Sequence, residues 1–484
     1  MFDKAPCLPY NIGMTIRQED LPMIDLNNIM RYHENNRIEA KKAAGGFPKS
    51  LWETYSAFAN TIGGLILLGV EESRDKNLTV TGVPDAQGYA DTIWQTVQDP
   101  AQVSANILRP EDVAVHTIQG REVLVLHVPR ADRRQRPVYI GDSPFTGSYR
   151  RDGEGDYHCS ADEVRAMLRD REDAPADLAV LEARSPRDLS QEALRQFRLL
   201  MAMRQPDHPW NRLPDPEFLP AAGVLGYGKD GATLHPTLAG LLLLGRRRAI
   251  REVFPQCRIT YEETDTGFSL ATNRPDCPEN LFAFYLAVAR RLTAVSALLT
   301  QQEPAARTDL AAAMKEAVLN AILHADYFGR GGLTIRRTDE KLQVENAGLL
   351  RVAPDQARAG GAADPRNRTL TSLFALVKLG SGAGTGLKGI YKTWARQGWS
   401  APVLSEGFKA GVTSLSLPLP QRPFSQGELT RQLIVEHLTD QVSATADELA
   451  AGLGLAHREV RTALDDLLER KLIVEEPDGY HLRA

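Results

Sequence analysis

The feature that most constrains this chain is an apolar helix that stops on two glycines and resumes as a strand. It reads Tyr55-Ser56-Ala57-Phe58-Ala59-Asn60-Thr61-Ile62-Gly63-Gly64-Leu65-Ile66-Leu67-Leu68-Gly69-Val70-Glu71-Glu72. Thr54 to Thr61 reads as the end of the helix, Gly63-Gly64 as its stop, and Leu65 to Val70 as a fully apolar strand. Glu122 to Val128 is a second strand and Val138-Tyr139-Ile140 a shorter one, while Ser160-Ala161-Asp162-Glu163 looks like a capped helix start. From about 20 to 170 the pattern is α+β. Carboxylates flank the rigid unit: Glu34 and Glu39 before it, Glu71 and Glu72 at the strand end. Carboxylates on a fixed frame are what a divalent cation needs, and such an ion serves phosphate chemistry. Glu34 and Glu39 lie five residues apart, so both reach one ion only if the segment bends. Lys41 and Lys42 either balance these acids or contact a phosphate.

The order Glu-x4-Glu-x-Lys, then Ser-Ala-Phe-Ala-Asn-Thr-x-Gly-Gly, then Leu-Gly-Val-Glu-Glu and Gly82-Val83, resembles the AlbA_2 or Schlafen-like domain. Tyr149-Arg150-Arg151-Asp152-Gly153 resembles that domain's closing Tyr-x-Arg-x-Gly strand. In Schlafen endoribonucleases two glutamates and an aspartate hold a metal. The resemblance therefore implies a catalytic set of Glu34, Glu39, Lys41, Glu71 and Glu72. Glu34, Glu39 and Glu72 (or Glu71) would hold Mg2+ or Mn2+. Two departures stand out. A glutamate occupies the aspartate's place, one methylene longer, and Ala40 replaces the usual aromatic residue before Lys41.

A second constellation lies on one predicted helix, where Glu316, Asn320 and His324 recur every four residues and share a face. An acid and an amide so placed can order Mg2+ and the phosphates of a nucleotide, although the spacing also suits a solvated stripe. Gly380 to Gly389 is a glycine-rich loop that lets backbone N–H groups approach a phosphate, with Gly382, Gly384 and Gly386 at its centre. From about Leu225 to Pro420, including Val344 to Leu349 and Arg366-Asn367, the chain resembles a degenerate GHKL-type ATP-binding fold. That resemblance implies ATP as a ligand of Glu316, Asn320, His324 and the three glycines. Asn346 stands near the place of the aspartate expected to read adenine.

Thr445 to Leu455 reads as a short helix and turn, followed by a second helix to Lys471 and two strand-like runs around Asp478-Gly479, a good hairpin turn. The pattern looks like a winged helix-turn-helix, with His457, Arg458 and Arg461 facing a major groove. Asp465, Asp466 and Glu469 on the same helix oppose that reading. Net charge is −5, so any nucleic-acid surface must be local. Arg130, Arg133, Arg134, Arg136, Arg150 and Arg151 either make such a surface or decorate a solvated hairpin. Arg246 to Arg248 suit a helix terminus electrostatically.

The expected architecture is a multidomain α+β chain: an AlbA_2/Schlafen-like domain with an N-terminal extension (1–175), a helical linker (176–225), a GHKL-like α/β sandwich (226–422) and a winged helix-turn-helix (423–484). Four cysteines, Cys7, Cys159, Cys257 and Cys277, lack metal-ligand spacing and read as reduced thiols. The first residues carry no signal-peptide pattern and no apolar run reaches bilayer length, so a cytoplasmic protein without a membrane role is expected. The leading functional expectation is a metal-dependent endoribonuclease acting on RNA such as tRNA, with a nucleotide-binding regulatory domain. A bacterial stress or anti-phage role, homo-oligomers and operon-encoded partners follow from the resemblance alone. The alternative is an ATP-responsive DNA-binding transcriptional regulator without nuclease activity.

Overall fold

The computed structural model describes residues 34–264, 266–275, 277–300, 304–380, 386–420, 424–441 and 443–483. The described residues form two compact units, one within 34–131 and 135–160, the other within 132–134 and 161–483.

The first unit runs β1 (Ile38–Lys41), α1 (Leu51–Asn60), β2 (Gly64–Leu68), β3 (Val70–Glu72), β4 (Leu78–Val80), α2 (Ala86–Val97), β5 (Val113–Ile118), β6 (Arg121–Val128), α3 (Pro144–Gly147), β7 (Tyr149–Asp152) and β8 (Gly155–His158). Its main sheet has the order β1-β2-β6-β5, with β1 parallel to β2 and the other pairs antiparallel. The expected single strand from Leu65 to Val70 is split at Gly69, after which β3 turns away to pair with β4. Val138 to Ile140 makes only isolated bridges.

The glycine pair has a local cause. Gly63 takes φ +72°, and a Cβ on Gly64 would lie 2.6 Å from the Phe58 ring. Chain reversal therefore needs a residue free to adopt positive φ, and the close ring contact needs one without a side chain. The polar members of the helix motif are buried staples. Ser56 donates to Val138 O (2.7 Å) and accepts from Tyr149 N–H (3.0 Å), while Asn60 donates to Val138 O and Tyr149 O and accepts from Val138 N–H. These bonds satisfy backbone groups of segments about eighty to ninety residues away, so that no buried polar atom of the pair is wasted.

The second unit contains α4 (Ala161–Arg171), α5 (Gln191–Arg204), α6 (Asp215–Ala221), β9 (Leu225–Tyr227), β10 (Leu234–Pro236), α7 (Leu238–Leu244), α8 (Arg247–Val253), β11 (Ile259–Glu263), β12 (Ser269–Ala271), α9 (Leu281–Leu299) and α10 (Pro304–His324). It continues with β13 (Leu333–Arg337), β14 (Lys341–Ala347), α11 (Pro354–Ala359), α12 (Arg368–Leu376), α13 (Gly386–Gln397), β15 (Val403–Gly407), β16 (Val412–Pro418), α14 (Gln426–Asp440), α15 (Ala446–Leu453), α16 (His457–Glu469), β17 (Ile473–Glu476) and β18 (Gly479–Leu482). A six-stranded sheet, β12-β11-β13-β14-β16-β15, supports α10, on which α9 and α13 pack in turn. One apolar core runs from Leu189 to Ile473 and includes the C-terminal helices, with α14 packed on α9. Among the described residues α9 alone is long and apolar enough to cross a bilayer, which the sequence reading had not anticipated. It carries Arg290 and Arg291, and most of its apolar side chains lie in this core. Arg247 and Arg248, expected at the end of the α7 helix, instead open α8.

Candidate nucleic-acid and nucleotide sites

Four strands and a loop of the first unit bring a set of charges together. Glu39 and Lys41 lie on β1, Glu72 on β3, Arg151 on β7, Asp156 on β8, and Glu34 just ahead of β1. Glu34 bends back so that its Oε1 accepts the Ala40 N–H at 3.0 Å, while its own N–H donates to Glu72 Oε1 at 2.9 Å. This is the bend that the five-residue spacing required. Glu39 receives Lys41 Nζ on Oε1 (3.0 Å) and Arg151 Nη2 on Oε2 (2.8 Å). Arg151, with a side chain only 1% exposed, also donates to Asp156 Oδ1 (2.9 Å) and Asn35 O (2.9 Å) and lies over the Phe58 ring. Thr54 donates to the other Asp156 oxygen at 2.6 Å. Lys76 joins Glu72 (3.4 Å) to Glu154 (2.6 Å).

The cluster discriminates between the two strand-end acids. Glu72 is largely buried within it, whereas Glu71 pairs with Lys42 at the surface. Burial raises the pKa of Glu34; the Ala40 N–H opposes that rise, the charges of Glu39 and Glu72 add to it, and Arg151 opposes it. The arrangement does not fit a ready metal cage. Among the described residues, the His, Cys, Asp and Glu group whose ligand atoms all lie within 4.8 Å of one another is Glu476, Asp478 and His481, in the C-terminal hairpin. Both oxygens of Glu39 are already held by cations.

The arginines proposed as a phosphate surface are mostly interior. Arg133, Arg136 and Arg151 are buried, which removes them from a solvent-facing patch. Arg133 is spent on Asp173 and Asp364, Arg134 pairs with Asp173, and Arg150 pairs with Asp152 and lies over Tyr157. Asp156, Glu154, Thr54 and Lys76 belong to the cluster and went unread in the sequence. Glu39 and Arg151 are separated by 112 positions, and nothing in a single sequence marks such a pairing.

In the second unit, Glu316, Asn320 and His324 of α10 line one cavity of about 140 Å³. Gly380 and Gly386, Asn346, Asp364 and Thr413 line it too, along with apolar Val344, Leu350 and Leu415. Gly382 and Gly384 lie outside the described residues. A Cβ on Gly386 would come 2.0 Å from Glu316 Oε1, so the start of α13 closes directly on that carboxyl. Burial raises the Glu316 pKa and a hydrogen bond from Asn320 opposes it. Burial and the charges of Arg366 and Arg351 push the His324 ring down to about 4, with Asp364 and Asp170 opposing, which keeps it neutral near pH 7. An apolar slot with polar groups at its edge and a helix start at one end suits a planar base bearing an anionic group.

On α16, Val460, Ala463, Leu464 and Leu467 face inward, and His457, Arg458 and Arg461 are exposed. His457 pairs with Asp447. Arg458, Arg461, Asp465 and Glu469 follow helical spacing on one exposed face, basic at its first turns and acidic beyond. The hairpin that follows presents Glu475, Glu476 and Asp478 to solvent.

Comparison with known proteins adds the following. Residues 34–160 match the Schlafen AlbA_2 family model, and residues 165–260 match a domain of unknown function, DUF8451. Among solved structures, the N-terminal domain of a protein from Nitrosomonas europaea related to the ATP-dependent DNA helicase RecG is 32% identical. The match covers 28% of this chain and 90% of that one, with a TM-score of 0.22. The DIP2311 protein of Corynebacterium diphtheriae is 18% identical over 93% of this chain and 80% of that one, with a TM-score of 0.38. A search of curated proteins returns no match.

Proposed function

Residues 34–160 form a Schlafen AlbA_2 domain, and from that premise we propose that the protein binds nucleic acid through this domain and cleaves RNA at its acid cluster. The observation that carries this reading is the convergence of Glu34, Glu39, Glu72, Lys41 and Arg151 from separate strands into one half-buried lattice. Scattered surface glutamates pair locally and stay in water. Taking several charges out of water is costly unless they are paired, and such clusters gather where chemistry is done. Lys42, Lys49 and Lys76 are exposed; Lys42 and Lys76 are ion-paired at the surface, where a phosphate can exchange for a carboxylate partner. In the second unit, the cavity lined by Glu316, Asn320 and His324 supports binding of a nucleotide such as ATP as the regulatory ligand.

The test is incubation of the purified chain with tRNA, single-stranded RNA and duplex DNA, beside Glu39→Ala. Expected is cleavage of RNA by the wild type and none by the variant. Intact RNA together with tight sequence-specific DNA binding would refute the nuclease. That outcome would favour the second reading, an ATP-responsive DNA-binding regulator, which exposed Arg458 and Arg461 support. The acids on the same face of α16 and along the hairpin tip weigh against it, because they repel phosphate.

A further inference from the structure

The acid cluster contains its own counter-charges, and their placement bears on how it works. Each oxygen of Glu39 already faces a cation: Lys41 holds Oε1 at 3.0 Å and Arg151 holds Oε2 at 2.8 Å, so an ion bound there would stand against two positive charges. Drawing Glu39 away would take one of two carboxylate partners from a guanidinium that is 1% exposed and keeps Asp156, and weakening the pairing of a buried charge is disfavoured. Glu72 is engaged in the same way, by the Glu34 N–H on one oxygen and Lys76 on the other. Asp156 is held by Arg151 and Thr54. Glu34 differs. Its Oε1 accepts the Ala40 N–H at 3.0 Å, and no cation is paired with its carboxylate among the described residues. Lys41 has three N–H donors, of which Glu39 (3.0 Å) and Ser50 Oγ (3.3 Å) take two.

Resting on the reading of this domain as one that cleaves RNA, we infer that the cluster works with Lys41 in the place of a divalent ion, by transfer of the phosphoryl group to the adjacent 2′-hydroxyl. Glu34 takes the 2′-hydroxyl proton as that oxygen bonds to phosphorus. The P–O5′ bond then breaks, the leaving 5′-oxygen takes a proton from water, and the hydroxide so formed takes the proton back from Glu34. The third N–H of Lys41 donates to a non-bridging oxygen as its negative charge grows. Arg151, shielded from the substrate, positions Glu39 and through it Lys41. The products are a 2′,3′-cyclic phosphate and a 5′-hydroxyl. Hydrolysis by a metal-bound water would leave a linear phosphate instead.

The experiment uses the full chain on an RNA and on the same RNA carrying a single 2′-deoxy residue at the cleaved position, each with Mn2+ and with EDTA. Fragment ends are read by mass spectrometry. Expected are cyclic phosphate ends, a rate changed less than twofold by EDTA, and no cleavage at the deoxy position. Glu34→Gln, which keeps an oxygen for the Ala40 N–H, should slow cleavage by about 10²-fold, the usual size of a general-base contribution. Lys41→Arg, which retains the charge, should keep more activity than Lys41→Met, with thermal melting showing that each variant is folded. Loss of cleavage in EDTA with linear phosphate ends, or a Glu34→Gln rate equal to wild type, overturns the inference while leaving the nuclease reading intact. RNA left whole under both conditions overturns the nuclease reading and the inference together.

Discussion

Glu263 sits at the end of β11 with no side-chain exposure, between two arginines that are themselves buried. It accepts from Arg291 Nε and Nη2 at 2.6 and 2.8 Å, from Arg337 Nη2 at 2.9 Å, and from the hydroxyls of Tyr261 and Thr266 at 2.6 Å each. Arg291 lies 3.5 Å over the Phe268 ring. Burial pushes the Glu263 carboxyl up, but the hydrogen bonds and charge of Arg291, the charge of Arg337 and the Thr266 hydroxyl outweigh it and hold the pKa down at about 2. Glu263→Ala leaves two guanidinium groups in the core without their carboxylate. Breaking a buried pair on one side costs about 3–5 kcal/mol, which for a unit of this size lowers the melting temperature by on the order of 10 °C. Calorimetric melting of wild type and variant measures it. The wild type carries an acid limb of its own. Because the folded pKa lies below the unfolded value of 4.5, the stabilisation is complete above pH 4.5 and is lost as the pH falls through about 2. It amounts to about 3 kcal/mol across that window. Replacing all three charges together, Glu263→Leu with Arg291→Met and Arg337→Met, should cost less than Glu263→Ala alone, since the desolvation penalty goes with the charges. A Glu263→Ala variant within about 1 kcal/mol of wild type would refute the reasoning, because it would mean that water reaches the arginines.

Three further outcomes are expected. Asn320→Ala should weaken ATP binding in isothermal titration by at least about tenfold, and heats equal to wild type would remove the cavity from consideration. Gly386→Ala should leave the fold intact, because the atom it meets is the end of a flexible side chain, yet displace Glu316 and weaken the same titration. The His324 ring, with its folded pKa near 4 against an ordinary 6.5, should titrate near 4 by NMR. Stability should accordingly decline as the pH falls from 6.5 towards 4, and His324→Gln should flatten that slope.

Some of this was legible in the chain itself. The alternation of apolar runs with glycine stops located α1, β2 and β6, and four-residue spacing located the polar stripe on α10, because these are local periodicities set by backbone geometry. The acids of the first unit were visible as residues. Their partners were not, since Arg151 reads in sequence as one member of a basic run and emerges in the fold as the buried counter-ion of Glu39. The same holds for Arg133, whose charge is consumed by Asp173 and Asp364. Composition reports which charges exist. Burial and pairing depend on which strands lie side by side, and that is a long-range property.

The helix-glycine-strand run by itself determined a helix, its stop at Gly63-Gly64 and an apolar strand, with carboxylates on both flanks, because glycine ends a helix and apolar runs of this length bury as strands. Only the tertiary structure decided between Glu71 and Glu72, by turning one outward to Lys42 and the other inward to Glu34. It also decided that Lys41 and Arg151 hold Glu39. Side-chain alternation along a strand is local, but the identity of the neighbour across the gap comes from the pairing of distant segments.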